Sequence, residues 1–451
     1  MRILFKILAI IEKILNRSGF YLRFFLYLLK KINKMKEVDR KDYIDWLFRK
    51  RDNGLIKIVT GVRRCGKSYL LFKLFRRKLM ETGVAEDHII ALALDDFSNR
   101  KYLNPGELYN YVKSRITDDG KYYILLDEIQ LVEDFVPVLN GFLHLSNVDV
   151  YVTGSNSKFL SSDIITEFRG RGDEIRVYPF SFSEVCSISD IDKEKLWTLY
   201  CRYGGMPLIW SMDFDDERES YLKNLFEQVY LSDIINRYKL KGREEIGILT
   251  NVLASSICSL TNPQRLANTF QSSNNMKLSQ FTISSYIDYL VDSFLIERAH
   301  RFDVKGRKYI GTPMKYYFVD VGLRNARLNF RQQEENHIME NIIYNELLRR
   351  RYSVDVGVVI VNEKKDDKYV KKQLEVDFIA NKGDKRYYIQ SAYEISDEEK
   401  MKQELQSFRN IDDSFRKIVI QRTATKPWFN EQGVLYMSVI DFLLNTDSLE
   451  L

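Results

Sequence analysis

Histidine and cysteine are scarce in this chain, with four of each among 451 residues. Four scattered histidines exclude a His-based metal centre. The cysteines, Cys65, Cys186, Cys201 and Cys258, form no C-x-x-C pair. That excludes a disulfide framework and a zinc ribbon, and it suits a reducing, cytoplasmic setting. Proline is rare too, at 7 residues, so no long proline-rich linker holds domains apart. No charge-free apolar run reaches the ~20 residues that span a bilayer. The charge-free stretch 246–264 carries Thr, Ser and Asn and reads as a buried helix. What the chain has is core-forming bulk, 45% apolar and 13% aromatic residues. Its length suggests about three closely packed domains.

The net charge of +6 is concentrated at one end. Residues 1–35 hold eight Lys/Arg and one acid, Glu12, a balance of +7, so the other 416 residues sum to −1. The bulk of the chain is therefore not a basic nucleic-acid binder by composition. In the first segment Arg2, Lys6, Lys13 and Arg17 share one helical stripe, opposite much of the Ile/Leu set. Two readings stand side by side. One is a basic amphipathic helix lying on a membrane surface or a partner. The other is translation from Met35, where the sequence turns mixed. No small-residue cleavage site follows, so a secretory signal is not expected.

The stretch "GLIKIVTGVRRCGKSYLLFKLF", 54–75, runs from β-branched residues into an apolar helical pattern. Between them "GVRRCGKS" fits G-x-x-x-x-G-K-[ST], with Gly61, Gly66, Lys67 and Ser68. Glycines let the loop wind so that successive backbone N–H groups converge on a phosphate, and the following helix adds its own unpaired N–H groups. Lys67 reaches the outer phosphates as a point charge, and Ser68 offers a hydroxyl to Mg²⁺. Arg64, Cys65 and Tyr69 complete the loop that holds ATP. Cys65 at a helix start also invites a redox reading, because that position lowers a thiol pKa.

Phosphate binding alone hydrolyses nothing; a second metal contact and a group that positions water are needed. "KYYILLDEIQ", 121–130, supplies both at the tip of a strand apolar on both faces. Asp127 holds Mg²⁺ opposite Ser68, and Glu128 polarises the attacking water. Another strand, 88–96, lies between the two elements in the sequence, as in the additional-strand class of P-loop proteins. The next strand, "VDVYVTGSNS", brings Thr153, Ser155 or Asn156 to the γ-phosphate. Arg169 or Arg171 in "EFRGRGDEIRVYPF" supplies charge to the transition state, in cis or to a neighbouring subunit, or is a solvated turn residue.

In order, "TGVRRCGKS", "ILLDEIQ", "VTGSNS", "FRGR", "YPFSFSE" and "YGGMP" resemble a prokaryotic family within the AAA+ ATPase superfamily, over roughly residues 36–445. The resemblance implies an α/β P-loop ATPase followed by a C-terminal domain of unknown function. It also implies ATP binding with hydrolysis.

The expected organisation is an extension at 1–35, the ATPase core at 36–180, a helical lid at 181–245 and a winged helix-turn-helix at 246–330. A domain similar to the restriction-endonuclease-like PD-(D/E)xK fold follows at 331–451. In the winged module the second helix, 279–294, contains Asp288 and Asp292 and no Lys or Arg. Groove reading by that helix is therefore weak. The wing is basic instead, through Arg298, Arg301, Lys305, Arg307 and Lys308, and can touch a DNA backbone. In the last region Glu340, Glu346 and Asp377 supply acids, but the next strand reads Gln390-Ser391-Ala392 and offers no lysine. A degenerate nuclease fold kept for binding is expected there.

The function expected is an ATPase coupling nucleotide state to its C-terminal domains, acting on a protein partner or DNA, alone or as a homo-oligomer. The alternatives are a nucleotide-gated switch with negligible turnover and an ATP-regulated nuclease.

Overall fold

Residues Ile56–Thr60 are β-branched apart from Lys57, the composition of a central parallel strand. The computed structural model describes residues 37–154, 170–240, 242–274, 277–331, 334–365, 368–394, 404–423 and 425–451. In it Ile56–Thr60 is β1, buried at every position. Four strands join it: β2 (Ile89–Ala93), β3 (Tyr122–Asp127), β4 (Val148–Thr153) and β5 (Gly172–Arg176). All pair in parallel, in the order β2-β3-β4-β1-β5. Parallel neighbours need crossovers. Helices 67–81, Pro105–Arg115 and Phe135–Leu143 provide them.

The strand inserted in the sequence is not the one inserted in space. β4 separates β1 from β3, and β2, expected from 88–96, lies outside β3 at the sheet edge. The C-terminal ends of β1, β4 and β3 therefore meet side by side at Thr60, Thr153 and Asp127.

Helices Phe182–Ile188, Lys193–Tyr203 and 215–238 follow, where a helical region was expected. Helix Pro263–Asn274 starts as anticipated. The Asn262 side chain accepts the Arg265 N–H at 2.7 Å, and Pro263 takes the first position, where no N–H is needed. Helix Gln280–Asp292 and the hairpin of β6 (Ile296–Asp303) and β7 (Lys308–Phe318) complete a helix–turn–helix–ribbon order.

The ribbon is not a free wing. β6 pairs in parallel with β8 (Ser353–Lys365), so the hairpin forms two of eight strands in a C-terminal sheet. β9 (Lys368–Lys382), β10 (Lys385–Ala392), β11 (Arg416–Gln421), β12 (Trp428–Phe429) and β13 (Leu435–Ser438) make up the rest. The order is β12-β13-β11-β10-β9-β8-β6-β7. A division at residue 330 cuts through this one sheet. Helix Glu335–Arg349 buries its apolar residues with Phe378 and Ile389, while Leu405 and Phe408 pack with Tyr388 and Val419. The basic segment 1–35 and the start of the helix expected from Asp397 lie outside the described residues. Among the described residues no helix is long and apolar enough to cross a membrane.

Candidate functional site

The loop after β1 winds through positive φ at Gly61 (136°), Arg64 (61°) and Gly66 (99°). A Cβ on Gly61 would sit 2.1 Å from the Val177 carbonyl oxygen, so no other residue fits there. Lys67 opens the following helix and is only 4% exposed. Its Nζ donates to the Gly61 and Val62 carbonyls at 2.9 and 3.1 Å, which satisfies the ammonium inside the loop itself. Ser68 is exposed.

Asp127, at the tip of β3, is 3% exposed, and burial raises its carboxyl above the ordinary carboxylate range. Hydrogen bonds from Thr153 and Ser68 pull it back down. The structure thus brings Ser68 and Asp127 together. Thr153, buried completely, donates its hydroxyl to Asp127 and accepts the Glu128 N–H at 3.0 Å. Glu128 stands in the left-handed region at φ 52°, ψ 46°, where a glutamate is held only by its surroundings. Its carboxylate accepts from the Gln130 amide. Through these two bonds the Thr153 hydroxyl braces Asp127 against Glu128. Ser155, Asn156 and Arg169 lie outside the described residues.

One expected site residue stands elsewhere, and one within the loop has a side chain turned inward. Arg171 precedes β5, and its carbonyl accepts from the N–H of Ile56, the first residue of β1. It therefore sits at the end of the sheet opposite the phosphate loop, about 16 Å away along five residues of strand. It does not serve this loop in cis. Cys65 is fully buried, with Sγ 3.3 Å from the Val177 carbonyl oxygen, so its role is packing and not redox chemistry.

Beside Arg64, Gly66 and Tyr69 opens a cavity of about 530 Å³. Val38, Phe180, Ile188, Pro207 and Trp210 give it apolar walls. Sequence reading missed it because its walls come from five separated segments, at 37–40, 64–74, 180–188, 207–211 and 221, which only the fold brings together. Also missed was the segment 177–180. Its four consecutive carbonyls accept from four different elements: Val177 from Cys65, Tyr178 from Arg40 (3.0 Å), Pro179 from Arg349 (2.6 Å) and Phe180 from the Tyr200 hydroxyl (2.8 Å). Just before it, Arg176 pairs with Glu297 of β6. Because all four acceptors are main-chain oxygens, no residue type in the segment signals these contacts. The phosphate loop also leans on helix 215–238. Arg63 pairs with Asp233, and the Tyr230 hydroxyl donates to the Arg63 carbonyl at 2.9 Å.

A second cluster lies in the C-terminal sheet. Lys315 of β7, 3% exposed, places Nζ 2.9 Å from Glu340, 2.7 Å from Glu375 and 3.6 Å from Asp377. Burial alone would lower the Lys315 pKa, but the three carboxylates outweigh it and hold the ammonium charged. The same burial, with the Glu340 charge, pushes Asp377 up. The lysine missing at Ala392 of β10 is thus matched in space by one delivered from another strand. It fills the convergence point of the acids. Among the described residues no three His, Cys, Asp or Glu side chains are disposed to hold a metal. Gln390 turns to Glu404 at 3.1 Å, Ala392 packs with Leu405 and Phe408, and Glu346 pairs with Arg349 and Arg350. Of the wing cations, Arg298 pairs with Asp288 and Arg301 is buried, donating to Gln373 at 2.7 Å.

Comparison with known proteins agrees with this layout. The AAA domain family matches residues 53–186, and a domain of unknown function, DUF8612, matches 194–334. An uncharacterized protein of Haemophilus influenzae is 33% identical over 416 residues, covering 90% of this chain and 98% of the relative. One from Methanocaldococcus jannaschii is 27% identical over 364 residues, 76% of each chain. Among solved structures, the Aeropyrum pernix ORC1 protein in complex with DNA covers 65% of this chain and 92% of its own, at 12% identity and a TM-score of 0.31. That likeness is too slight to bear on function. The chain belongs to the family of the Haemophilus influenzae protein, and it carries an AAA-type P-loop domain followed by a domain of unknown function.

Proposed function

We propose that this protein binds magnesium ATP at Gly61–Ser68, hydrolyses it, and passes the change to its C-terminal sheet. One observation carries the reading. A glycine loop and helix start face a carboxylate, Asp127, across the C-terminal ends of parallel strands, with Glu128 braced beside it. In open α/β sheets that end is where ligands bind.

The residues fit the nucleotide. Lys67 is pre-placed on loop carbonyls and exchanges those neutral partners for phosphate oxygens. At an effective dielectric near 20, a unit charge pair at 4 Å gains about 4 kcal/mol, well above what a carbonyl returns. Ser68 and Asp127 would hold Mg²⁺, whose remaining ligands come from phosphate and water, as this ion prefers. Bound there, the ion neutralises phosphate charge. Glu128 then orients water, and the brace through Thr153 fixes where its backbone stands. The cavity lined by Val38, Phe180 and Trp210 is placed to receive the nucleoside.

Coupling rests on segment 176–180. It touches the phosphate loop through Val177 on one side and Arg349 and Glu297 of the C-terminal elements on the other. A shift of the loop on nucleotide binding is felt directly at those contacts. Helix 215–238, tied to Arg63, supplies a second route. The buried Lys315 cluster supports a closed, non-nucleolytic reading of the C-terminal sheet, because its cation position is already taken by an ammonium.

Steady-state phosphate release tests the enzyme reading. Glu128→Gln should keep nucleotide affinity and lose turnover by about 10²-fold or more. Equal, slow release from both proteins would leave a nucleotide-gated switch instead.

A further inference from the structure

The run "YGGMP", residues 203–207, leads from helix Lys193–Tyr203 into the cavity beside the phosphate loop. Pro207, Leu208 and Trp210 line that cavity, and Pro207 Cγ lies 4.0 Å from where a Cβ on Gly66 would stand. Phe180 forms another part of the lining, and its N–H donates to the Gly205 carbonyl at 2.6 Å. Gly205 thus ties two walls together.

The other side of Gly205 is held by a carboxylate. Its N–H donates to Asp320 Oδ2 at 2.6 Å. Asp320 is 3% exposed and also caps helix Val321–Arg327, accepting the Leu323 N–H at 3.0 Å. The approach is close enough to require both glycines. A Cβ on Gly204 would sit 2.3 Å from Asp320 Oδ1, and one on Gly205 would sit 2.0 Å from the Phe180 carbonyl oxygen. Asp320 itself is firmly placed, two residues after β7. Asn341 accepts the Phe318 N–H at 2.8 Å, and the Asn341 and Asn345 amides donate to the Phe318 carbonyl at 2.7 and 2.9 Å. Asn325, on the helix that Asp320 caps, donates to the carbonyls of Cys201 and Arg202 at 2.8 and 2.9 Å. Those carbonyls belong to the last turn of helix Lys193–Tyr203, where no later helical N–H reaches them. Each helix therefore satisfies the open end of the other, with the Gly204–Gly205 turn between them.

A hydrogen bond to a buried carboxylate is worth roughly twice a neutral one. We infer that Asp320 is a positioning residue for the nucleoside, its carboxylate fixing the Gly205 turn, and with it the Phe180 and Pro207–Trp210 walls, against the C-terminal elements. The inference rests on the nucleoside placement proposed above. Linkage makes the effect reciprocal: nucleotide held by those walls tightens the junction by as much as the junction tightens binding. Burial raises the Asp320 carboxyl to about 6, against the N–H bonds from Gly205, Leu323 and Gly322 and the Arg349 charge, which lower it. Protonation below that value removes the charge that draws the Gly205 N–H. The other ionisable groups around it are Tyr200, Tyr230, Glu346 and Arg349. Burial lifts both tyrosine hydroxyls further from the acid range, and Arg349 and Glu346 are bonded to each other.

Calorimetric titration of the full chain with magnesium ATP and with magnesium tripolyphosphate, which has no nucleoside, is the test. At pH 7.5 Asp320→Asn should weaken ATP about tenfold and tripolyphosphate less than about twofold. At pH 5.5 the ratio of the two affinities should fall about threefold in the wild type and stay constant in Asp320→Asn. Should the variant fail to fold, the wild-type ratio at the two pH values decides alone, and an unchanged ratio overturns the inference. So does ATP affinity that Asp320→Asn leaves intact, or an equal loss for both ligands, the mark of a residue that only holds the fold. ATP binding without tripolyphosphate binding overturns it as well, because wall and loop would then not act separately. A wild type that binds neither ligand overturns the phosphate site itself and this inference with it.

Discussion

Two places in this molecule set a lysine among acidic residues, and they are built for opposite ends. Lys67 rests on neutral carbonyls, while Asp127 stands across from it with Ser68 exposed nearby. Charge is held apart there, and under the proposed function a ligand with negative phosphates and a cation would complete it. Lys315 lies within 3.6 Å of three carboxylates and leaves no such vacancy. A site keeps its charges available by giving them weak internal partners; a structural network spends them on each other. The same residue types therefore read as chemistry in one sheet and as architecture in the other.

The contrast is broken most sharply at Lys315. Replacing Lys315 with Met leaves three partly or fully buried carboxylates without a cation, so unfolding stability should fall by about 3–5 kcal/mol. Nucleotide affinity at the distant loop should stay unchanged. Chemical denaturation followed by nucleotide titration reads both. A small stability loss would mean the cluster is more open than its geometry indicates.

A smaller effect is expected at Thr153. Thr153→Val keeps the shape but removes the donor to Asp127 and the acceptor of the Glu128 N–H. Phosphate release should fall by about 10- to 100-fold, with a lesser loss of affinity for magnesium ATP. A variant changed in affinity alone would place Thr153 outside the hydrolytic step.

The smallest effect concerns acidity. Asp377 is raised by burial and by Glu340, to about 8. The folded state thus holds a proton that the unfolded chain releases near pH 4, about the ordinary carboxylate value. Its contribution is complete below that range and is lost as pH rises toward 8. Thermal stability should decline over that window in the wild type and decline less in Asp377→Asn. A parallel decline in both would assign the effect to other groups.

The phosphate loop and the Asp127–Glu128 pair were legible because each is a contiguous run whose spacing carries its own chemistry. Gly61 and Lys67 need only their neighbours in sequence. The position of β4 between β1 and β3 was not legible, since parallel pairing joins residues with no local signature. Arg171 illustrates the same limit: it is close to the nucleotide strands in sequence order, yet β5 starts at the far end of the sheet. The Lys315 cluster was hidden for a related reason. Ala392 is where a lysine was sought, while the one that meets Asp377 comes from a hairpin before the helix. The four shared carbonyls of 177–180 leave no trace in residue type, because main-chain acceptors are the same at every position.

The most direct test is calorimetric titration of magnesium ATP into the full chain, wild type against Lys67→Ala. Saturable, magnesium-dependent binding that the substitution weakens at least about 100-fold, roughly 2.7 kcal/mol, is the predicted result. No binding by the wild type, or binding that Lys67→Ala leaves intact, would contradict a nucleotide held by this loop.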